Sequence, residues 1–131
     1  MDLHDYEIVA ENYDLYMGTL GQDNHEKFTK FYFNLCEQHN SKNVMDLACG
    51  TGLLSIPLVE KGIKVTAVDI SQKMLDVLKS KNKNSSLIRI ENQNMIDLEI
   101  NDLYSMIIIA RSGFMHLLTP DDQRKALINI N

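Results

Sequence analysis

Only two cysteines occur in the 131 residues, Cys36 and Cys49. They form no CxxC pair and no zinc-ligand spacing, which excludes a disulfide scaffold and a structural zinc site. Each reads as a small hydrophobe or turn residue in a reducing, cytoplasmic setting. The four histidines, His4, His25, His39 and His116, are scattered without ligand spacing, so no metal is expected. Basic charge is also short. The formal net charge is −5, and the densest cationic stretch is Lys73, Lys79, Lys81 and Lys83. It reads as a solvated helix end, where cations favour the dipole, and not as a nucleic-acid surface. Long apolar runs are missing: the longest covers residues 106–110, far too short to span a bilayer. The first residues carry Asp2, His4, Asp5 and Glu7, which excludes a signal peptide there.

What is present suits a globular domain. Hydrophobic residues make up 44% and charged residues 24%. A chain of this length can build one core. Residues 6–17 show a helical stripe of Tyr6, Val9, Ala10, Tyr13 and Met17. A loop with Gly18 and Gly21 follows, then a helix over residues 25–38 with Phe28, Phe31, Tyr32, Leu35 and Cys36 on its apolar face. From residue 44 the pattern changes to short, largely apolar strands that alternate with helices. Strands are expected at 44–48, 64–69, 87–91 and 105–110. Helices are expected at 53–61, with Pro57 tolerated near its first turn, and from the N-cap Ser71 to about residue 80. A polar loop spans 81–86. Thr119-Pro120-Asp121-Asp122 starts a last helix: a capping hydroxyl, proline at N1, then acids.

This order implies an α/β fold. It is a Rossmann-like, doubly wound, mostly parallel sheet in three layers, α/β/α. A helical cap over 1–40 precedes a ligand-binding domain over 41–131, which looks truncated after the fourth strand and its helix. An unpaired fourth strand would favour a homodimer. Ligands of such sheets bind beyond the carboxyl ends of the strands.

The chemistry concentrates in Asp46-Leu47-Ala48-Cys49-Gly50-Thr51-Gly52. A strand delivers Asp46, and two glycines let the backbone turn and approach a ligand. Dinucleotide sites use GxGxxG, but position 55 is Ser here. A carboxylate at Asp46 would repel a pyrophosphate and attract an ammonium. Asp69 ends the next strand 19 residues after Gly50 and suits a ribose diol.

Together with Val68-Asp69-Ile70-Ser71-Gln72-Lys73-Met74-Leu75, the block closely resembles class I S-adenosylmethionine-dependent methyltransferases. Ala10-Glu11-Asn12-Tyr13-Asp14 is similar to their opening helix. The resemblance implies a methyl transfer from S-adenosyl-L-methionine, leaving S-adenosyl-L-homocysteine, to an acceptor that acidic charge makes a small molecule. Asp46 and the turn Ala48, Cys49, Gly50, Thr51 and Gly52 would bind the methionine moiety. Asp69 would hold the ribose, and Ile70 would pack on adenine. Asn94, where the family usually has Asp, and Met95 would sit at the adenine. Ala110 and the segment after it would lie beside the methyl group, and Tyr13 or Tyr16 would close over the cofactor. Met74 reads as core. Ser105 stands where the family often places an acid. His116 is the one candidate base, and Arg111 reads as a surface ion pair. Two other readings stand beside this one: a non-catalytic nucleoside-binding fragment and an NAD(P)-dependent oxidoreductase.

Overall fold

A computed structural model describes residues 3–18, 22–83 and 85–131. Three helical pieces come first: α1 (Leu3–Val9), a 3-10 turn (Ala10–Asn12) and α2 (Tyr13–Gly18), followed by α3 (Gln22–Gln38). The single helix expected over 6–17 is thus interrupted. A stripe at spacings of three and four suits a 3-10 turn as well as an α-helix, so the pattern did not reveal the break. Gly21, and with it part of the expected loop, lies outside the described residues.

The sheet contains β1 (Asn43–Leu47), β2 (Lys64–Asp69), β3 (Ile88–Asn92) and β4 (Met106–Ile108), in spatial order β3-β2-β1-β4 and parallel throughout. Asp46 faces Ala67 on one side and Ile108 on the other. α4 (Ser55–Glu60) links β1 to β2, and α5 (Gln72–Lys81) links β2 to β3. A 3-10 turn (Met95–Asp97) precedes β4, another (Gly113–His116) follows it, and α6 (Pro120–Ile130) is the last element.

Period-two alternation splits the core between the two sheet faces. Val44, Val65, Ala67 and Ile108 pack with Cys36 of α3, Leu58 and Val59 of α4, and Leu75 and Leu78 of α5. Met45, Leu47 and Val68 pack with Leu98, and Met95, Tyr104 and Ile130 of α6 cover that side. Helix–sheet–helix layering follows from strands that are apolar on both faces. The Ser71 and Thr119 hydroxyls accept from the amides of Met74 and Asp122, capping α5 and α6.

Two boundaries matter for the site. α4 starts at Ser55, not at residue 53, so residues 51–54 form a turn and lengthen the loop after β1. β4 ends at Ile108, so Ile109 and Ala110 have already left the ladder expected to reach residue 110. Among the described residues, no helix is long and apolar enough to cross a membrane.

Candidate functional site

The chain goes β1, β2, β3 outward in one direction and then returns to place β4 on the other side of β1. Beyond the carboxyl ends at this reversal, the loops diverge and leave a cavity of about 350 Å³. The loop after β1 supplies Ala48, Cys49 and Gly50; β2 supplies Asp69 and Ile70; Asn94 and Met95 come from the segment after β3. Ala110 and His116 come from the segment after β4, and Tyr13 from the N-terminal helices.

Asp46 shares the core-facing side of β1 with Val44 and is almost wholly buried. Its carboxylate accepts a 2.6 Å hydrogen bond from the Ser55 hydroxyl. Burial pushes its pKa up to about 6; the Ser55 bond offsets part of this, and the charge of Asp69 adds to it. Ser55 therefore stands at the third glycine position of a dinucleotide loop but serves a different end, satisfying a buried carboxylate.

Asp69 ties two loops together. Its Oδ2 accepts from the Gly50 amide at 2.8 Å and its Oδ1 from the Ser71 amide at 2.9 Å. Burial raises its pKa, and hydrogen bonds from Ser71, Gly50 and Ile70 work the other way. The Cys49 thiol is held well above its ordinary pKa by burial, so it stays neutral.

The two glycines have separate roles. A Cβ on Gly50, at φ +56, would meet nothing within 4 Å, leaving the turn open. A Cβ on Gly52, at φ +80, would sit 2.2 Å from the Leu78 side chain of α5. Gly52 thus allows α5 to pack closely and does not line the cavity. Thr51 does not line it either; its buried hydroxyl donates to Asp14. Both residues support the turn from behind.

The N-terminal helices cross the mouth. The Tyr6 hydroxyl lies 2.8 Å from His116 Nε2, with the rings edge-to-face. The Ser71 hydroxyl donates to Glu7 at 2.6 Å, and Lys81 pairs with Asp14 at 2.6 Å. Tyr13 lines the cavity, whereas the exposed Tyr16 does not. Asn94 Oδ1 accepts from the Ile96 amide, so that oxygen also caps the following turn. Met74 is buried and lines the cavity as well. Ser105 bonds Asn43 at the opposite, amino end of the strands and is not part of the site. Arg111, expected in a surface ion pair, instead lies over the Phe28 ring, 4.3 Å from its centroid.

Sequence reasoning missed Tyr6 and Phe28 as lining residues. The spacing of seven between Tyr6 and Tyr13 was a usable signal, since it puts both on one helical side. No local pattern marked Phe28.

The donor set suits a ligand with an ammonium, a ribose and an apolar base. Asp46 and Asp69 are acceptors, the turn at Gly50 is open, and Ile70, Met74 and Met95 form an apolar wall.

Comparison with known proteins agrees with this geometry. Residues 44–131 match the family described as a methyltransferase domain. Rat glycine N-methyltransferase is 35% identical across 93% of this chain and 46% of its own length. Glycine/sarcosine N-methyltransferase of Aphanothece halophytica is 30% identical across 75% of this chain and 38% of its own. The crystal structure of an S-adenosylmethionine-dependent methyltransferase from Clostridium acetobutylicum superposes with a TM-score of 0.77 at 28% identity, over 95% of this chain and 51% of that one. The chain spans about half the length of such relatives or less. From its fold, its cavity and these matches, the chain belongs to the class I methyltransferase family.

Proposed function

We propose that this chain forms the cofactor-binding part of an S-adenosylmethionine-dependent methyltransferase that acts on a small molecule. The observation that carries the reading is the pair of carboxylates at the carboxyl ends of adjacent parallel strands, buried Asp46 and part-buried Asp69, that line one cavity with the open turn at Gly50. Asp46 would hold the cofactor ammonium and Asp69 its ribose diol, with Ile70 and Met95 against adenine and Asn94 at its amino edge. The turn Ala48, Cys49 and Gly50 would lie along the methionine chain. When bound, the cofactor supplies a methyl group already activated by its sulfonium. The protein then has to align the acceptor and exclude water. Tyr6 and Tyr13 supply the cover. His116 would take a proton from an acceptor once its Nε2 gives up the hydrogen bond to the Tyr6 hydroxyl. Residues 1–40 would act as the cap.

The names of the relatives, glycine and sarcosine N-methyltransferases, support a small amine as acceptor. The net charge of −5 weighs against nucleic acid. Free thiols at Cys36 and Cys49 support a reducing, cytoplasmic setting. An oxidoreductase reading is disfavoured by the carboxylate at Asp46 and by Ser55.

Calorimetric titration with S-adenosylhomocysteine, with NADH as control, tests the proposal. Binding of the first ligand alone is expected. Asp69→Asn should weaken it while keeping one acceptor for the Gly50 and Ser71 amides, which Asp69→Ala would strand. Binding of NADH alone, or of neither ligand, would overturn the reading.

A further inference from the structure

Two neighbouring strands leave the sheet through unusual backbone. Ala48, after β1, has φ +63, and Arg111, beyond β4, has φ +55. This left-handed region strains an L residue and is normally left to glycine. Such outliers cluster at functional sites. At Arg111 the conformation coincides with a placed side chain. Its guanidinium carbon lies over the Phe28 ring of α3, and both residues line the cavity with Tyr13.

The charges around that cavity are uneven. Its walls carry three carboxylates, Asp46, Asp69 and Asp122, while Arg111 is the one arginine or lysine among the lining residues described. None of those carboxylates pairs with it: the ion pairs among the described residues all involve other cations. A cation–π contact of this kind holds the guanidinium in place without a carboxylate partner, which leaves N–H donors for a ligand. Those donors form a fork that matches a carboxylate.

We propose that Arg111 is the carboxylate receptor of the cavity, and that with Asp46 it recognises a zwitterionic amino-acid group. The inference rests on the cofactor reading above. Two sources carry this chemistry: the methionyl end of the cofactor, or an amino-acid acceptor. Arg111 is then a specificity-determining residue, with Phe28 as its positioning partner.

The test uses Arg111→Gly, which suits φ +55 and removes only the side chain, and Arg111→Lys, which keeps the charge. Titrations with S-adenosylhomocysteine are compared with its decarboxylated analogue, which retains the ammonium. Glycine is then titrated into the S-adenosylhomocysteine complex. If the cofactor is the source, Arg111→Gly binds S-adenosylhomocysteine about tenfold or more weakly, as expected for losing a charge-assisted pair, and binds the analogue unchanged. Arg111→Lys recovers part of the loss. If the acceptor is the source, S-adenosylhomocysteine binding is retained and glycine binding, present in the unaltered chain, disappears. Equal weakening toward S-adenosylhomocysteine and the analogue marks a packing role and overturns the proposal, as does a variant matching the unaltered chain throughout. Failure of the unaltered chain to bind S-adenosylhomocysteine would instead overturn the cofactor reading itself.

Discussion

Lowering the pH should weaken cofactor binding through one residue. Asp46 is buried, and its folded pKa lies at about 6, above the ordinary 3.8. For a carboxyl raised in the fold, the stability gained from the neutral form is complete below the unfolded value and is lost as pH rises through the folded one. A shift of this size corresponds to about 3 kcal/mol, so the empty protein holds an ionised Asp46 at that cost near pH 8. A ligand ammonium placed against the carboxylate relieves it, and binding is tied to ionisation. Near pH 5 only about a tenth of Asp46 is ionised, which predicts about tenfold weaker binding of S-adenosylhomocysteine than near pH 7.5, with proton release on binding. Calorimetry in two buffers of different ionisation heat measures both. Asp69 is raised too, so Asp46→Asn is the needed control. That variant should bind weakly, lose most of the pH dependence, and melt at a higher temperature than the unaltered chain near pH 8 but not near pH 4. A dissociation constant that stays level across this range, or an equal loss of affinity at low pH in the variant, would refute the reasoning.

Gly52→Ala should lower stability by about 1–3 kcal/mol in denaturant titrations, because its methyl meets Leu78 and its backbone is left-handed. Gly50→Ala should cost only the backbone part, about 1 kcal/mol, since its methyl meets nothing; equal losses would remove the packing role assigned to Gly52. Ile70 is about half exposed, so Ile70→Ala should leave the melting temperature nearly unchanged while weakening S-adenosylhomocysteine binding about fivefold by calorimetry. β4 is a sheet edge, which favours self-association; light scattering should show a dimer, and a clean monomer would refute this.

Much of the scaffold was legible because its causes are local. The strand over 64–69 is a short, mostly apolar run between Lys64 and Asp69, and β2 has those bounds with residues 65–68 buried. Ser71 and Thr119 announce their helices because a cap needs only a hydroxyl and an amide a few residues on. The turn at Met95–Asp97 went unseen because three residues carry no period. The interruption at Ala10–Asn12 went unseen because its side-chain stripe continues through it.

By itself, then, the amino-acid order determined the alternation of strands and helices and the acid–glycine–acid block, since period, capping and turn chemistry depend on near neighbours in the chain. Tertiary structure decided the rest. It set the order β3-β2-β1-β4, which brings the loop after β1 and the segment after β4 to one cavity. It separated Gly50, open to that cavity, from Gly52, closed by α5. It placed Arg111 over Phe28 through a left-handed backbone that arginine does not announce. Each of these depends on which distant segment comes alongside, and side-chain company of that kind is set by packing across the sheet rather than by the residues on either side.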